Sequence, residues 1–344
     1  MNIVITAGGT LGHIMPGLEI AKELSKKHNV IYITSLKDEK YDILKKADYL
    51  NKVYYINAQG FNKNIIYNIK TIIKVLNSTK DIKQILKQEK IDLAIGMGGY
   101  ISGIVINVCN RLKIKTIIHE QNKIMGLSNK LVLRKTNKIL LTFNTKLPLK
   151  YKTKIYQVSN PRLFINKPLN ISKKDKQILI TSGSNGSKFI NSLAIELCNS
   201  NLLREYRIVI VTGKKYFEEV KNKINKVNVK KIEFVENLLP YLYESSIVIT
   251  RAGSSTIFEA ICMNTILIMI PSPNVANNHQ YHNAKEIKEL GMGELVEENE
   301  NTYKNILRTI DNVDLNKQKY ITNIINYKNK YTLKRIIDII ERKD

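Results

Sequence analysis

Short, uninterrupted runs of apolar residues recur along the first half of the chain and alternate with segments whose apolar residues repeat at helical spacing. The segment from Gly17 to Lys27 has the helical repeat, and the apolar runs occupy residues 3–6, 30–34, 91–95, 116–119 and 139–142. Strands that are apolar on both faces are typical of parallel sheets with helices on both sides. The pattern therefore predicts a doubly wound α/β domain.

The same alternation starts again in the second half. A lysine-rich stretch containing Pro148, Pro161 and Pro168 is followed by new apolar runs at 178–181, 206–211, 247–250 and 266–270. A chain of 344 residues is also long enough for two domains of about 150 residues each. We therefore expect an N-terminal domain over 1–158, a second domain over 159–330, and a C-terminal helix within 331–344 that packs back on the first domain.

The composition agrees with a cytoplasmic protein. The chain is 43% hydrophobic, which is enough for ordinary cores, but it contains no apolar run of about 18 residues and no export leader at its N-terminus. The three cysteines, at 109, 198 and 262, have neither the spacing of a zinc site nor that of a disulfide framework. We interpret them as small core residues.

The formal net charge of +25 favours either a polyanionic partner or a solvated basic surface. On charge alone, a nucleic-acid-binding protein is one alternative. The sequence has no recognition-helix motif, no zinc ligands and no aromatic RNA-binding signature, and it contains no Trp. We therefore do not expect nucleic acid to be a partner.

Segments rich in Gly, Ser, Thr or Asn follow several of the predicted strands. In doubly wound sheets, ligands bind outside the carboxyl ends of the strands, so these segments are where the chemistry is expected. They are AGGTLGHIMPG at 7–17, GMGGYISG at 96–103, HEQN at 119–122, TSGSNGS at 181–187, TRAGSST at 250–256 and PSPNVANNHQYHNA at 271–284.

The first of these segments has the chemistry of a phosphate site. A strand that runs through two glycines into a helix directs backbone N–H groups and the positive end of the helix dipole at one point. The glycines at 8, 9 and 12 do not have the dinucleotide spacing, and a P-loop is absent. His13 lies at the opening of the helix, where the dipole favours a neutral imidazole that accepts a proton. Its alternative role is structural, as a helix cap or packed residue.

The second half offers a similar site. Gly253, Ser254, Ser255 and Thr256 open a helix after a strand and are suited to donate hydrogen bonds to a diphosphate. Glu259 follows about one turn later, where a carboxylate suits the paired hydroxyls of a ribose. Its alternative role is to complement the helix dipole.

In this order, the segments GGTLGHIMPG, MGGYISG, HEQN, TSGSNGS, TRAGSSTIFEA and NNHQYHNA resemble the MurG glycosyltransferases, from Ile3 to about Gly293. The resemblance implies a GT-B fold, with two Rossmann-like domains facing across a cleft. It also implies an inverting transfer of N-acetylglucosamine from UDP-GlcNAc to the muramyl C4 hydroxyl of undecaprenyl-linked lipid I, giving lipid II for peptidoglycan. The expected location is the cytoplasmic face of the cell membrane. No cofactor and no essential metal are implied, and the chain lacks an Asp-x-Asp pair for a metal on a nucleotide sugar.

The resemblance also implies roles for individual residues. On the donor side it implies a phosphate contact from Ser184, a uracil contact from Val235, diphosphate contacts from residues 254–256, a ribose contact from Glu259 and a sugar contact from Gln280. Further substrate contacts are implied for Thr10, Leu11, Gly12, Asn122, Arg162, Asn185, Arg251, Gly253 and Asn283. We expect the lipid diphosphate on the amides of the first loop, His13 as the general base, and Glu120 as the second candidate for that base.

Two features leave alternatives open. The family commonly has Gly in place of Leu11, which favours considering a related UDP-sugar transferase with another lipid acceptor. A UDP-sugar sensor without transfer activity is a further alternative. The segment 61–77 carries isoleucines on one helical face with lysines around it. This pattern is typical of an interfacial membrane helix and equally of a helix that packs on the core.

Overall fold

The computed structural model describes residues 1–58, 65–168, 171–183, 186–200 and 202–342, without the side chains of 65–76. The chain divides into two compact units. One comprises Met1–Arg162 together with Thr332–Asp344, and the other comprises Leu163–Tyr331. The division therefore falls after 162 rather than after 158, and the C-terminal segment groups with the first unit.

The first unit is built on a seven-stranded parallel sheet in the order β3-β2-β1-β4-β5-β6-β7. The strands are β1 Asn2–Thr6, β2 Asn29–Ser35, β3 Lys52–Ile56, β4 Leu93–Gly96, β5 Lys115–Glu120, β6 Lys138–Leu141 and β7 Ile155–Gln157. The strand order reverses between β1 and β4. The loops after these two strands therefore border the crevice where ligands bind in such sheets.

The helices of the first unit cover this sheet. They are α1 Leu11–Leu24, α2 Asp42–Lys45, α3 Ile65–Gln88, α4 Tyr100–Arg111, α5 Leu127–Val132 and α13 Leu333–Glu341. Strands β1, β4 and β6 have almost entirely buried residues, as continuous apolar sequence predicts. Within the part of the chain that the structure describes, no helix combines the length and apolar character that crossing a membrane requires.

The C-terminal helix α13 is tied to the first unit at its end. The ammonium group of the buried Lys138 donates to the carbonyl oxygens of Ile339, at 3.1 Å, and Arg342, at 2.8 Å. A cation at this position satisfies carbonyl groups that have no partner within a helix and complements the helix dipole. The helix α13 also has four buried isoleucines, and the carboxylate of Glu341 lies 3.0 Å from Nε2 of His28.

The second unit has a six-stranded parallel sheet in the order β10-β9-β8-β11-β12-β13. Its strands are β8 Lys174–Thr181, β9 Arg207–Val211, β10 Val229–Ile232, β11 Ser245–Thr250, β12 Ile266–Met269 and β13 Gly293–Leu295. Its helices are α6 Lys188–Asn199, α7 Phe217–Lys223, α8 Leu239–Glu244, α9 Ser254–Cys262, α10 His279–Glu289, α11 Thr302–Leu315 and α12 Lys317–Asn329. The strand order reverses between β8 and β11, which places the loops after those strands beside a second crevice.

The prediction for the cysteines is confirmed. Cys109, Cys198 and Cys262 are all buried, and within the described residues none of them forms a disulfide. Burial raises the pKa of Cys109 and of Cys198 to about 12, so both remain neutral thiols at physiological pH.

Candidate functional site

The first glycine turn, residues 7–10, packs against the turn that follows β4. Gly9 has φ +91° and Gly99 has φ +81°, and a Cβ at Gly99 would lie only 2.2 Å from the carbonyl oxygen of Gly8. Only glycine suits such a backbone conformation and such a close approach. The two turns at the reversal point of the first sheet are therefore in direct contact.

His13 lies at this contact, in the first turn of α1. Its Nδ1 is 3.1 Å from Oγ1 of Thr10, and a Cβ at Gly98 would lie 3.1 Å from its Nε2. The imidazole is half-buried, while Thr10 is exposed. The structure thus places an imidazole, oriented by a neighbouring hydroxyl, at the crevice where a general base is expected.

Leu11 and Gly12 are also on the first turn of α1 and are half-buried. A Cβ at Gly12 would contact only Oγ1 of Thr10, at 3.5 Å. The backbone at Gly12 is therefore open, whereas the side chain of Leu11 occupies the adjoining position at the start of the helix.

Asp38, which the sequence analysis did not identify, lies beneath the first turn. It belongs to a short 3₁₀ turn, Leu36–Lys40, directly after β2. Its carboxylate accepts the N–H of Gly9, at 3.0 and 3.2 Å, and the hydroxyl of Thr34, at 2.8 Å. One amide of the glycine turn is therefore already bound by the protein itself.

Glu120, at the end of β5, organises the loop that follows it. One carboxylate oxygen accepts the N–H of Asn122 at 3.0 Å, and the other accepts the N–H of Gly126 and the amide of Asn129, both at 2.9 Å. Burial raises the pKa of this carboxyl group, and the hydrogen bonds oppose that effect. Glu120 thus fixes the position of the half-buried Asn122, which is a different task from accepting a proton from substrate.

The neighbouring His119 is buried, with Nε2 3.1 Å from Oγ1 of Thr142. Burial lowers its pKa to about 4, so the imidazole is neutral at physiological pH. It therefore packs as an uncharged residue at the start of the HEQN segment.

Arg162 is held inside the first unit. Its guanidinium group is buried and lies 2.5 Å from a carboxylate oxygen of Glu19 on α1. The backbone N–H of Arg162 donates to the side-chain oxygen of Asn160. The structure thus assigns Arg162 an ion pair within the protein, while the expected substrate contact stays a prediction.

In the second unit, the loop after β11 leads into α9 through Gly253, the N-cap residue. A Cβ at Gly253 would meet no atom of the described residues within 4 Å, so among these residues there is open space beside the start of the helix. Ser254 is buried, while Ser255, Thr256 and Glu259 are half-buried. A helix start with hydroxyl groups and adjacent open space has the chemistry of a phosphate site.

Arg251 connects several loops at this end of the second sheet. It donates to the carbonyl oxygens of Ile270, at 3.0 Å, and Pro271, at 3.3 Å, and to the hydroxyl of Ser187, at 3.0 Å. It also pairs with Glu298 at 2.5 Å, and its guanidinium group lies over the ring of Phe189. These contacts position the loops around the crevice, and the expected substrate contact of Arg251 stays a prediction.

Two further predicted residues lie on α10 and also contact loops. The side-chain oxygen of Gln280 accepts the N–H of Ser272 at 2.9 Å, and the buried Asn283 donates to the carbonyl of Ala252 at 3.3 Å. Asn277 and Asn278, just before α10, have φ +54° and +49°, a conformation that Asn tolerates better than most residues. Asn283 thus supports the loop that leads into α9.

Ser184 and Asn185 lie outside the described residues. The described flanks are Gly183, with φ +81°, and Ser187, which caps α6 by accepting the N–H of Ile190 and also accepts from Arg251. Val235, the residue expected to contact uracil, is half-buried.

Comparisons with known proteins cover almost the whole chain. The glycosyltransferase family 28 N-terminal domain matches residues 3–141, and the family 28 C-terminal domain matches residues 177–340. UDP-N-acetylglucosamine--N-acetylmuramyl-(pentapeptide) pyrophosphoryl-undecaprenol N-acetylglucosamine transferase of Bacillus cytotoxicus is 31% identical, with 92% of each chain covered. The protein of the same name from Leuconostoc mesenteroides is 32% identical over 92% of this chain and 91% of its own length.

Solved structures show the same fold. The Acinetobacter baumannii MurG structure covers 99% of both chains with a TM-score of 0.77 and 22% identity. A UDP-glucosyltransferase from Polygonum tinctorium covers 99% of both chains with a TM-score of 0.71 and 11% identity. At these identities the likeness concerns the fold, and it confirms the expected GT-B class.

Proposed function

The chain belongs to glycosyltransferase family 28, and on this premise we propose that it transfers N-acetylglucosamine from UDP-GlcNAc to the muramyl C4 hydroxyl of lipid I, giving lipid II for peptidoglycan. The observation that carries the proposal is the match to relatives of that named activity over 92% of the chain. The first unit has a half-buried imidazole where its strand order reverses, which fits a general base. The second unit has an open helix start where its strand order reverses, which fits a diphosphate site. The names of these relatives favour this function over transfer to a different lipid acceptor.

In the proposed mechanism the second unit holds the donor. The diphosphate lies at the start of α9, where hydroxyl groups and backbone dipoles offset the charge that develops on the UDP leaving group. Glu259 accepts the ribose hydroxyls. Arg251 and Asn283 act through the loops they hold, because their hydrogen bonds go to loop atoms.

The first unit supplies the base. His13 removes the proton from the acceptor hydroxyl as that oxygen attacks the sugar carbon, with inversion at that carbon. The hydroxyl of Thr10, next to Nδ1, orients the ring. Glu120 holds Asn122 beside the same crevice. No residue in this scheme requires a metal ion.

The role of Glu259 can be tested with Glu259→Gln. We expect KM for UDP-GlcNAc to rise about 10- to 100-fold, because a hydrogen bond to a charged group contributes about 1.5–3 kcal/mol. The measurement is transfer of radiolabelled N-acetylglucosamine to lipid I, with the exposed Glu300→Gln as the matched control.

A 2′-deoxyribose donor makes this test specific for the ribose. It should bind the wild-type enzyme more weakly than UDP-GlcNAc, and the variant should discriminate less between the two donors. An unchanged KM for both donors in Glu259→Gln would rule out the ribose contact.

We also propose that a basic, leucine-bearing surface of the first unit contacts anionic lipid. The predicted interfacial segment, 61–77, lies almost entirely outside the residues whose side chains are described, and it stays a prediction. A different surface is described in full. From Gln121 to Lys154 the chain contains nine Lys and Arg residues, of which Lys138 is buried, and no Asp or Glu. Leu127 and Leu131, one turn apart on α5, are 68% and 76% exposed.

These features favour a membrane over other partners of a basic surface. Burying exposed leucines at the acyl boundary lowers the free energy of the protein on the membrane. Each surrounding Lys or Arg adds about 1 kcal/mol through its attraction to anionic head groups. The helix α5 follows the Glu120 loop directly, so this surface would bring the site close to a lipid-linked acceptor.

The membrane proposal predicts a loss of vesicle binding in Leu127→Ser/Leu131→Ser. Sedimentation with phosphatidylglycerol vesicles should show binding at least about tenfold weaker than that of the wild type, because each leucine contributes about 1.5–3 kcal/mol when buried. Leu315→Ser, in the second unit and 86% exposed in the wild type, is the control and should bind normally. Equal binding by all three proteins, or binding that ignores salt and anionic lipid, would contradict the proposal.

A further inference from the structure

The amides of the first glycine turn are the expected site of the acceptor's diphosphate, yet one of them is already bound. The N–H of Gly9 points at the carboxylate of Asp38, with distances of 3.0 and 3.2 Å to its two oxygens. The hydroxyl of Thr34 donates to the same carboxylate. The carboxylate of Asp38 therefore accepts the N–H group that an anionic ligand would otherwise bind.

This carboxylate is buried and lies close to the glycine turn. Asp38 is 1% exposed, and within the described part of the chain no Lys, Arg or His forms an ion pair with it. A Cβ built at Gly8 would lie 2.7 Å from Oδ2 of Asp38, so the carboxylate is in contact with the turn. A buried carboxylate beside the turn would repel a diphosphate bound at the turn, since solvent screens a buried charge only weakly.

The loop after β5 shows the same arrangement. The carboxylate of Glu120 is 3% exposed and takes the N–H groups of Asn122 and Gly126. Two loops at the carboxyl ends of the first sheet thus donate their amides to carboxylates of the protein. Such loops suit hydroxyl groups, which are uncharged and can both donate and accept.

We propose that the glycine turn of the first unit is a site for uncharged saccharide hydroxyls and excludes the acceptor's diphosphate, and that Asp38 determines this selectivity. This inference rests on the proposed transfer to a lipid-linked sugar and specifies which part of that acceptor the turn binds. The sugar then lies next to His13, while the diphosphate binds elsewhere.

The test uses full-length protein labelled with [¹⁵N]glycine, saturated with UDP, and titrated with inorganic pyrophosphate. In the wild type, we expect the amide signals of Gly8, Gly9 and Gly12 to stay in place. In Asp38→Asn, which keeps an oxygen acceptor for Gly9, the same signals should shift, with pyrophosphate bound at least tenfold more tightly. Asp48→Asn, which removes an exposed charge, is the control and should behave as the wild type.

A second titration of the wild type uses an uncharged N-acetylhexosamine methyl glycoside, which should shift these glycine signals. The proposal is overturned if pyrophosphate shifts the signals of wild type and Asp38→Asn at similar concentrations, or if the saccharide leaves them unchanged. Transfer of N-acetylglucosamine to lipid I is measured separately. Absence of transfer in that assay would refute the proposed function. The spectra would still show which ligands bind the glycine turn.

Discussion

His13→Ala should lower kcat by about 100- to 10,000-fold and leave the affinity for UDP nearly unchanged, because a positioned general base contributes a factor of this size. The imidazole lies where the turns after β1 and β4 meet, with Thr10 at its Nδ1. The donor residues, by contrast, belong to the second unit. The loss should therefore appear in the chemical step rather than in donor binding.

The measurement is single-turnover transfer from UDP-GlcNAc to lipid I, together with UDP binding by calorimetry. His28→Ala is the matched control, since His28 belongs to the same unit but lies beside Glu341 near the C-terminal helix. It should keep wild-type turnover. If His13→Ala also retained near-wild-type turnover, the base would have to be another residue.

Gly99→Ala should be the most damaging single-methyl change in the first unit. Its φ of +81° is unfavourable for alanine, and the added Cβ would lie 2.2 Å from the carbonyl oxygen of Gly8. Backbone must move to relieve such an overlap, so we expect the free energy of unfolding to fall by at least about 3 kcal/mol. Turnover should fall as well, because the displaced turn carries Gly98, against which His13 packs.

Gly183→Ala separates the two causes of this effect. Gly183 has the same φ of +81°, but a Cβ there would meet no atom within 4 Å. Denaturant unfolding of this variant should show only the backbone cost, about 1–2 kcal/mol. Equal losses in the two alanine variants would mean that the contact between the turns adds no stability.

The sheet cores were predictable from sequence, and the sheet edges were not. The nine apolar runs correspond to β1, β2, β4, β5, β6, β8, β9, β11 and β12. The four strands that the runs did not predict are the outermost strand on each side of each sheet: β3, β7, β10 and β13. Their residues are largely half-buried or exposed, as in the sequence VKKI of β10, so the continuous apolar signal disappears.

The loops that border the crevices were likewise predictable, since glycines and hydroxyl residues after a strand indicate a binding loop whatever its ligand. The hydrogen-bond or ion-pair partner of each charged side chain was not predictable from the sequence. Arg251 resembles a phosphate ligand in sequence, but its guanidinium group bonds to loop atoms and Glu298. Asp38 has no motif at all, and its contact with Gly9 depends on the pairing of β1 with β2. Such contacts between distant segments are a property of the tertiary structure.

The grouping of Thr332–Asp344 with Met1–Arg162 has a consequence for biosynthesis. The amino-terminal half of the polypeptide leaves the ribosome long before residues 339–342 are made, so the ammonium group of Lys138 meets the carbonyl oxygens of Ile339 and Arg342 only late in synthesis. A nonsense codon at the position of Thr332 would therefore damage the half of the protein that was synthesised first.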